Sequence, residues 1–260
     1  MDSRVASNAK SAKPLQLWLA HPGDLLDEAN AQACAALLDE EERARWQRYR
    51  FEKNRREYLA THALARIALS SIHPLAPDAW RFAAHAYGKP SIQPDCGLRF
   101  NLSNAPGMVV CLIAHGLEVG VDVEPVARAE RILALAPQVF SALEVAQLED
   151  LSGPEKLDRA VSLWTLKEAY IKARGMGLRL PLRKVSFVFG GAEGIRLELE
   201  PDLEDEAERW QFCLLDHAAH RIAVMTERSP EAELQMWKAL PLLSPPKRLP
   251  VSAKRWFSQA

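Results

Sequence analysis

Apolar and polar positions alternate from Val119 to Glu124, with Val119, Val121 and Val123 on one side and Gly120, Asp122 and Glu124 on the other. This period of two predicts a strand, and Pro125, which has no N–H for a ladder, closes it. Over residues 160–174 the spacing lengthens. Val161, Trp164, Leu166, Tyr170 and Ile171 form the broad apolar side of a predicted helix, and Gly175 and Gly177 follow as stop signals. Two earlier helices are expected where Asp39 precedes Glu40 to Glu42 and where Ser141 precedes Glu144. A long helix is predicted over 54–71, followed by short strands over 81–84, 99–102 and 108–114. The 160–174 helix is likewise followed by strands over 185–189, 195–198, 211–215 and 222–226. A helix–helix–strands order therefore occurs twice, and the fold class expected is α+β.

Composition narrows this picture without selecting a function. A chain of 260 residues with 48% hydrophobic content can bury a substantial core, as one large domain or two small ones. Its formal net charge of −1 supplies no bulk attraction for nucleic acid. Cys34, Cys96, Cys111 and Cys213 form no C-x-x-C pair or metal-ligand spacing, and free thiols packed in a core suit a reducing cytoplasm. The apolar run 15–20 is too short for a secretory core, and no stretch nears the roughly 18 apolar residues of a membrane span. The reading is a soluble, cytoplasmic protein. Its expected organisation is a flexible tail over 1–13, α+β halves over 14–118 and 119–240, and a Pro-rich tail over 241–260. Trp256 and Phe257 are candidates to dock back.

The alternating strand carries candidate chemistry. Asp122 and Glu124 would lie about 6.5 Å apart at Cα on one face, close enough to share an ion. Hard carboxylate oxygens suit Mg²⁺, which often leans on substrate phosphates for its remaining ligands. A simply wet strand face gives the same pattern. On the helix, Glu168 and Lys172 lie one turn apart on one side, equally consistent with a helix-stabilising pair worth about 0.2–0.5 kcal/mol. The run 43–56 is rich in arginine and reads either as a solvated helix face or as a source of guanidinium forks for phosphate.

Taken together, GVDVE at 120–124 and Trp164, Lys167, Glu168, Ala169 and Lys172 resemble the signature of the 4'-phosphopantetheinyl transferases of the broad-specificity type. AYGKP at 86–90, FNLSN at 100–104 and the MGLRLPL stretch at 176–182 are similar to further elements of that family, and the likeness runs over 38–188, more weakly to 227, and so covers most of the protein. The resemblance implies a pseudo-two-fold pair of α+β subdomains with the active site in the cleft between them. The implied activity is that of a holo-[acyl-carrier-protein] synthase. It transfers the phosphopantetheine arm of coenzyme A to a serine of an acyl or peptidyl carrier protein and releases adenosine 3',5'-bisphosphate.

The resemblance also assigns roles. Asp122, Glu124 and Glu168 hold Mg²⁺, Glu168 acts as general base and Lys172 assists the departing phosphate. Arg45, Gly88, Lys89, Pro90, Ser103, Asn104, Asp122 and Lys172 contact coenzyme A, with Arg45 at the 3'-phosphate. Asn104 is a departure, because the family usually carries a histidine there. An amide can donate a hydrogen bond but cannot hold a positive charge. The basic, locally apolar loop 172–184, with Met176, Leu178 and Leu180, suits an acidic carrier protein. A monomer suffices, because one chain already holds both halves. Two other readings stay open at this point: a Mg²⁺-dependent pyrophosphatase acting on coenzyme A or a nucleotide, and a carrier-binding module without catalysis.

Overall fold

The computed structural model describes residues 13–84, 89–190, 194–239, 245–251 and 257–258. The first half runs β1 (Leu15–Ala20), α1 (Glu28–Ala36), α2 (Glu40–Arg48), α3 (Glu52–Ser70), a hairpin of β2 (Arg81–Ala84) and β3 (Pro90–Gln93), then β4 (Leu98–Ala105) and β5 (Met108–His115). The second opens on β6 (Val119–Pro125) and the short α4 (Ala129–Ala134) and α5 (Ala136–Val139). It continues through α6 (Ala142–Glu149), α7 (Gly153–Arg174), a hairpin of β7 (Val185–Phe189) and β8 (Ile195–Leu199), then β9 (Trp210–His217) and β10 (His220–Glu227). The chain ends with β11 (Leu234–Lys238), β12 (Lys247–Leu249) and β13 (Phe257–Ser258).

The repetition expected from the sequence is present in the topology. In the first sheet β5 lies between β1 and β4; in the second β10 lies between β6 and β9, and all four pairings are antiparallel. Alternation along the strands gives each sheet two apolar faces. One face of the first sheet packs with α3, through Trp18, Val109, Cys111 and Ile113. One face of the second packs with α7, through Phe212, Leu214, Ala223 and Met225. The remaining faces, including Leu17, Val110 and Leu112 against Val121, Ile222 and Val224, form a third core between the sheets. The result is four layers, helix–sheet–sheet–helix, with a core common to both halves.

The helix starts repeat as well. Asp39 caps α2 and Ser141 caps α6, each in a capping box completed by the glutamate three residues on, Glu42 or Glu144. Each glutamate then meets a fully buried cation from the long helix of its own half: Arg66 lies 2.7 Å from Glu42, and Lys167 lies 2.7 Å from Glu144.

Two features depart from the sequence reading. The apolar run Leu15–Ala20 is a buried strand, β1, rather than a segment of no assigned structure. The end of the chain crosses back: β11 pairs in parallel with β1, and β12 follows it on the first sheet. Residues 234–238, grouped with the second half by sequence order, thus complete the sheet of the first. Part of the expected C-terminal tail is ordered, with β13 pairing onto β9 at Phe212 and Gln211. Trp256 and residues 1–12 fall outside the described residues.

Candidate active site

Gly120 sets the distance between β6 and α7. A Cβ there would stand 2.0 Å from the Ala169 carbonyl oxygen and 2.4 Å from the Ala173 nitrogen, so only glycine lets strand and helix backbones come this close. Two residues on, Asp122 faces α7 and its Oδ1 accepts from Lys172 Nζ at 2.6 Å. On the other side of β6 runs β4. Asn101 Oδ1 accepts from the Val121 N–H at 2.9 Å, so a side chain covers part of an edge that no strand pairs. Ser103 Oγ donates to Asp122 Oδ1 at 2.8 Å and accepts from Lys172 Nζ at 2.8 Å. Three side chains from β4, β6 and α7 thus close one network where the halves meet. The wet-face reading of the strand is excluded, since Asp122 and Glu124 are 4% and 7% exposed.

Glu168 lies one turn before Lys172 and makes no hydrogen bond or ion pair among the described residues. Burial, then the negative charge of Asp122, push its carboxyl from the ordinary 4.5 up to about 7; Lys172 opposes the rise and Glu124 adds to it. Glu124 has partners. Arg128 Nη1 donates to its two oxygens at 2.8 and 2.6 Å, and the Trp164 indole donates to Oε1 at 3.0 Å. Burial and the nearby Asp122 still hold its carboxyl above the usual range.

This donor set bears on metal binding. Asp122 Oδ2 is buried without a hydrogen-bond partner, and the Glu168 carboxylate is likewise uncommitted. Two hard carboxylates are oxygen donors of the kind that suit Mg²⁺. Among the described residues no group of three or more His, Cys, Asp or Glu side chains is arranged to hold a metal ion. In this site both oxygens of Glu124 accept from Arg128, so it is committed to that pair.

Beyond Ser103 lies a pocket of about 320 Å³ whose lining includes Arg45, Tyr49, Tyr58, His62 and Asn104. Arg45 and Asn104, 59 residues apart in sequence numbering, are therefore brought to one place. A larger cleft of about 1140 Å³ opens at the other end of β4, lined by Lys89, Pro90, Arg99, Glu118 and Arg174 among others.

Comparison with known proteins agrees with this geometry. The family model of the 4'-phosphopantetheinyl transferase superfamily matches residues 118–225, which contain both β6 and α7. The 4'-phosphopantetheinyl transferase HetI of Nostoc sp. is 29% identical over 177 residues, covering 67% of this chain and 74% of HetI. The slr0495 protein of Synechocystis sp., named as a candidate 4'-phosphopantetheinyl transferase, is 31% identical over 173 residues, covering 65% of this chain and 68% of its own. The chain belongs to the 4'-phosphopantetheinyl transferase superfamily. Sfp of Bacillus subtilis, a further 4'-phosphopantetheinyl transferase, is 28% identical over 161 residues, covering 62% of this chain and 70% of Sfp. A crystal structure of a holo-(acyl-carrier-protein) synthase from Bacillus anthracis in complex with CoA (3',5'-ADP) covers 43% of this chain and 96% of its own, at 18% identity and a TM-score of 0.37. At that score the likeness adds nothing to the assignment.

Within this phosphopantetheinyl transferase the sequence-derived residues divide by place. Asp122, Glu168, Lys172 and Ser103 lie together, with Glu124 beside them on Arg128. Arg45 and Asn104 share the adjoining pocket. Lys89 lines the larger cleft, and its ammonium donates to Glu118 Oε2 at 2.7 Å, Ala173 O at 3.0 Å and Val119 O at 3.1 Å. An ammonium has three donors, and here two of them, to Val119 and Ala173, tie the first half to the second. Pro90 begins β3 beside it, and Gly88 lies outside the described residues.

The loop after α7 is also less open than its sequence implies. Leu180 is 3% exposed in the core around α7, and Met176 packs against that core. Arg174 is paired with Asp205, and Lys184 with Asp202. The Leu178 side chain lies outside the described residues. Residues the sequence reading assigned no role include Lys167, which bonds Glu144 and the carbonyls of Leu182 and Val185 and so fixes the far end of this loop. His62 is another; only its place in the small pocket reveals it.

Proposed function

We propose that the protein transfers the 4'-phosphopantetheine arm of coenzyme A to a serine hydroxyl of an acyl or peptidyl carrier protein and releases adenosine 3',5'-bisphosphate. The observation that carries this reading is the Ser103–Asp122–Lys172 network beside an uncommitted Glu168, next to a pocket holding Arg45 and Asn104. The serine oxygen forms a bond to the β-phosphorus of coenzyme A as the bond from that phosphorus to the bridging oxygen breaks. Glu168, which makes no hydrogen bond or ion pair among the described residues and lies one turn from Lys172, is the carboxylate that would take the serine proton. Lys172, held in place by Asp122 and Ser103, presents its ammonium to the departing phosphate. Arg45 supplies a guanidinium for the nucleotide phosphate, and Asn104 a neutral amide donor beside it.

Asp122 and Glu168 are the residues that would hold Mg²⁺. When bound, that ion neutralises the charge gathering on the pyrophosphate oxygens. Glu124 would join as a third ligand on release of Arg128. We place the protein in the cytoplasm, acting as a monomer, since both halves of the site come from one chain around one shared core.

Incubation with coenzyme A, Mg²⁺ and an apo carrier protein should raise the carrier mass by one phosphopantetheine arm. Coenzyme A cleavage without that gain would identify a hydrolase instead. Carrier binding with no chemistry would leave a binding module.

A further inference from the structure

The two capping-box glutamates serve their halves unequally. Glu144 is spent on the framework: it accepts from the backbone of Ser141 and Phe187 and pairs with Lys167. Glu42 performs the same duties with Asp39 and Arg66, and its Oε1 also lies 2.7 Å from His62 Nδ1. Burial acts to raise the Glu42 carboxyl, but the hydrogen bond and charge of His62, with the charge of Arg66, outweigh it and hold it below its usual range.

Four residues before Arg66 in α3 stands His62. Four residues before Lys167 in α7 stands Leu163, which is fully buried. The corresponding position of the second half is thus filled by a plain apolar side chain, whereas the first half carries a partly exposed histidine there.

Its orientation is fixed. Nδ1 is engaged by Glu42, and the ring lies against Tyr58 with centroids 4.1 Å apart. The side chain is 28% exposed and lines the small pocket with Arg45 and Asn104. Nε2, on the far side of the ring from Glu42, has no hydrogen-bond partner among the described residues. Arg45 is exposed in the same lining and has no ion pair among the described residues. Glu57 also lines this pocket, its carboxylate 4.0 Å from Lys53.

A guanidinium and an imidazole braced by a carboxylate form a cradle for a doubly charged phosphate monoester. Coenzyme A carries such a group at its 3' position, whereas its pyrophosphate would reach the Asp122–Lys172 network beyond Ser103.

We propose that His62 is a specificity residue, donating from Nε2 to the 3'-phosphate of coenzyme A beside Arg45 and Asn104. The inference rests on the transferase reading above.

The test is calorimetric binding of coenzyme A and of 3'-dephospho-coenzyme A to the full chain, to His62→Gln and to His62→Leu, the last copying the side chain found at Leu163. Both variants should bind coenzyme A about tenfold or more weakly, as expected for loss of a hydrogen bond to a charged group, while 3'-dephospho-coenzyme A changes by less than about twofold. Equal losses for the two ligands, or no loss for coenzyme A, would overturn the assignment while leaving the transferase reading intact. A parent protein that binds no coenzyme A removes that reading, and the role of His62 with it.

Discussion

Glu168 is the residue whose energetics diverge most from its appearance in the sequence. As one turn of a helix with Lys172 it reads as a surface pair, yet Lys172 turns to Asp122 and Ser103 and leaves the acid partly buried and unpartnered. A carboxyl raised from 4.5 to about 7 binds its proton more tightly in the folded chain than in the unfolded one. Its contribution therefore disfavours folding increasingly as pH rises through that window, and the cost stays in full above it. Glu168→Gln should abolish transfer to an apo carrier yet raise the melting temperature of the metal-free protein at pH 8, with a smaller gain at pH 5. Thermal scans across that range check it; a variant less stable than the parent at pH 8 would contradict the burial argument. Asp122, Glu168 and Lys172 were legible because their spacing along one strand and one helix is local. The fate of Lys89 was not, since its acceptors Glu118, Val119 and Ala173 lie 29, 30 and 84 residues away.

Among the elements, β6 and α7 matter most, and they depend on one absent methyl. Gly120→Ala places a Cβ against backbone atoms that cannot rotate aside, so helix and strand must part. Overpacking of this kind costs about 1–3 kcal/mol, more where backbone has to move. Denaturant unfolding should show that loss, together with a disproportionate loss of transfer, because Asp122 and Lys172 separate. Lys167 gives a second case. Burial lowers its ammonium pKa and raises that of the Glu144 carboxyl, but each is the other's compensation. Lys167→Ala strands a fully buried carboxylate and should cost about 3–5 kcal/mol by equilibrium unfolding. Capping residues, strand alternation and helix periods were readable from the sequence because they are short-range rules. The Glu144–Lys167 pair was hidden for the opposite reason, as its members belong to different helices.

At the scale of the whole molecule, the doubled order of elements predicted two halves, and the topology supplies them. What local patterning could not supply was the route of the chain end, because parallel pairing of β11 with β1 joins residues some two hundred positions apart, Leu15 opposite Leu234. Leu234 and Met236 on β11 are buried, each worth roughly 1.5–3 kcal/mol. Deleting residues 231–260 should therefore lower the denaturation midpoint sharply and expose the edge of β1; an unchanged midpoint would show that β11 adds nothing. The same pairing has a consequence for biosynthesis. A chain made from its N-terminus places β1 outside the ribosome long before its parallel neighbour exists, and an apolar open edge is a hazard during that interval. The first half, although complete in its helices, waits for β11, some two hundred residues further along the chain, before its sheet can close.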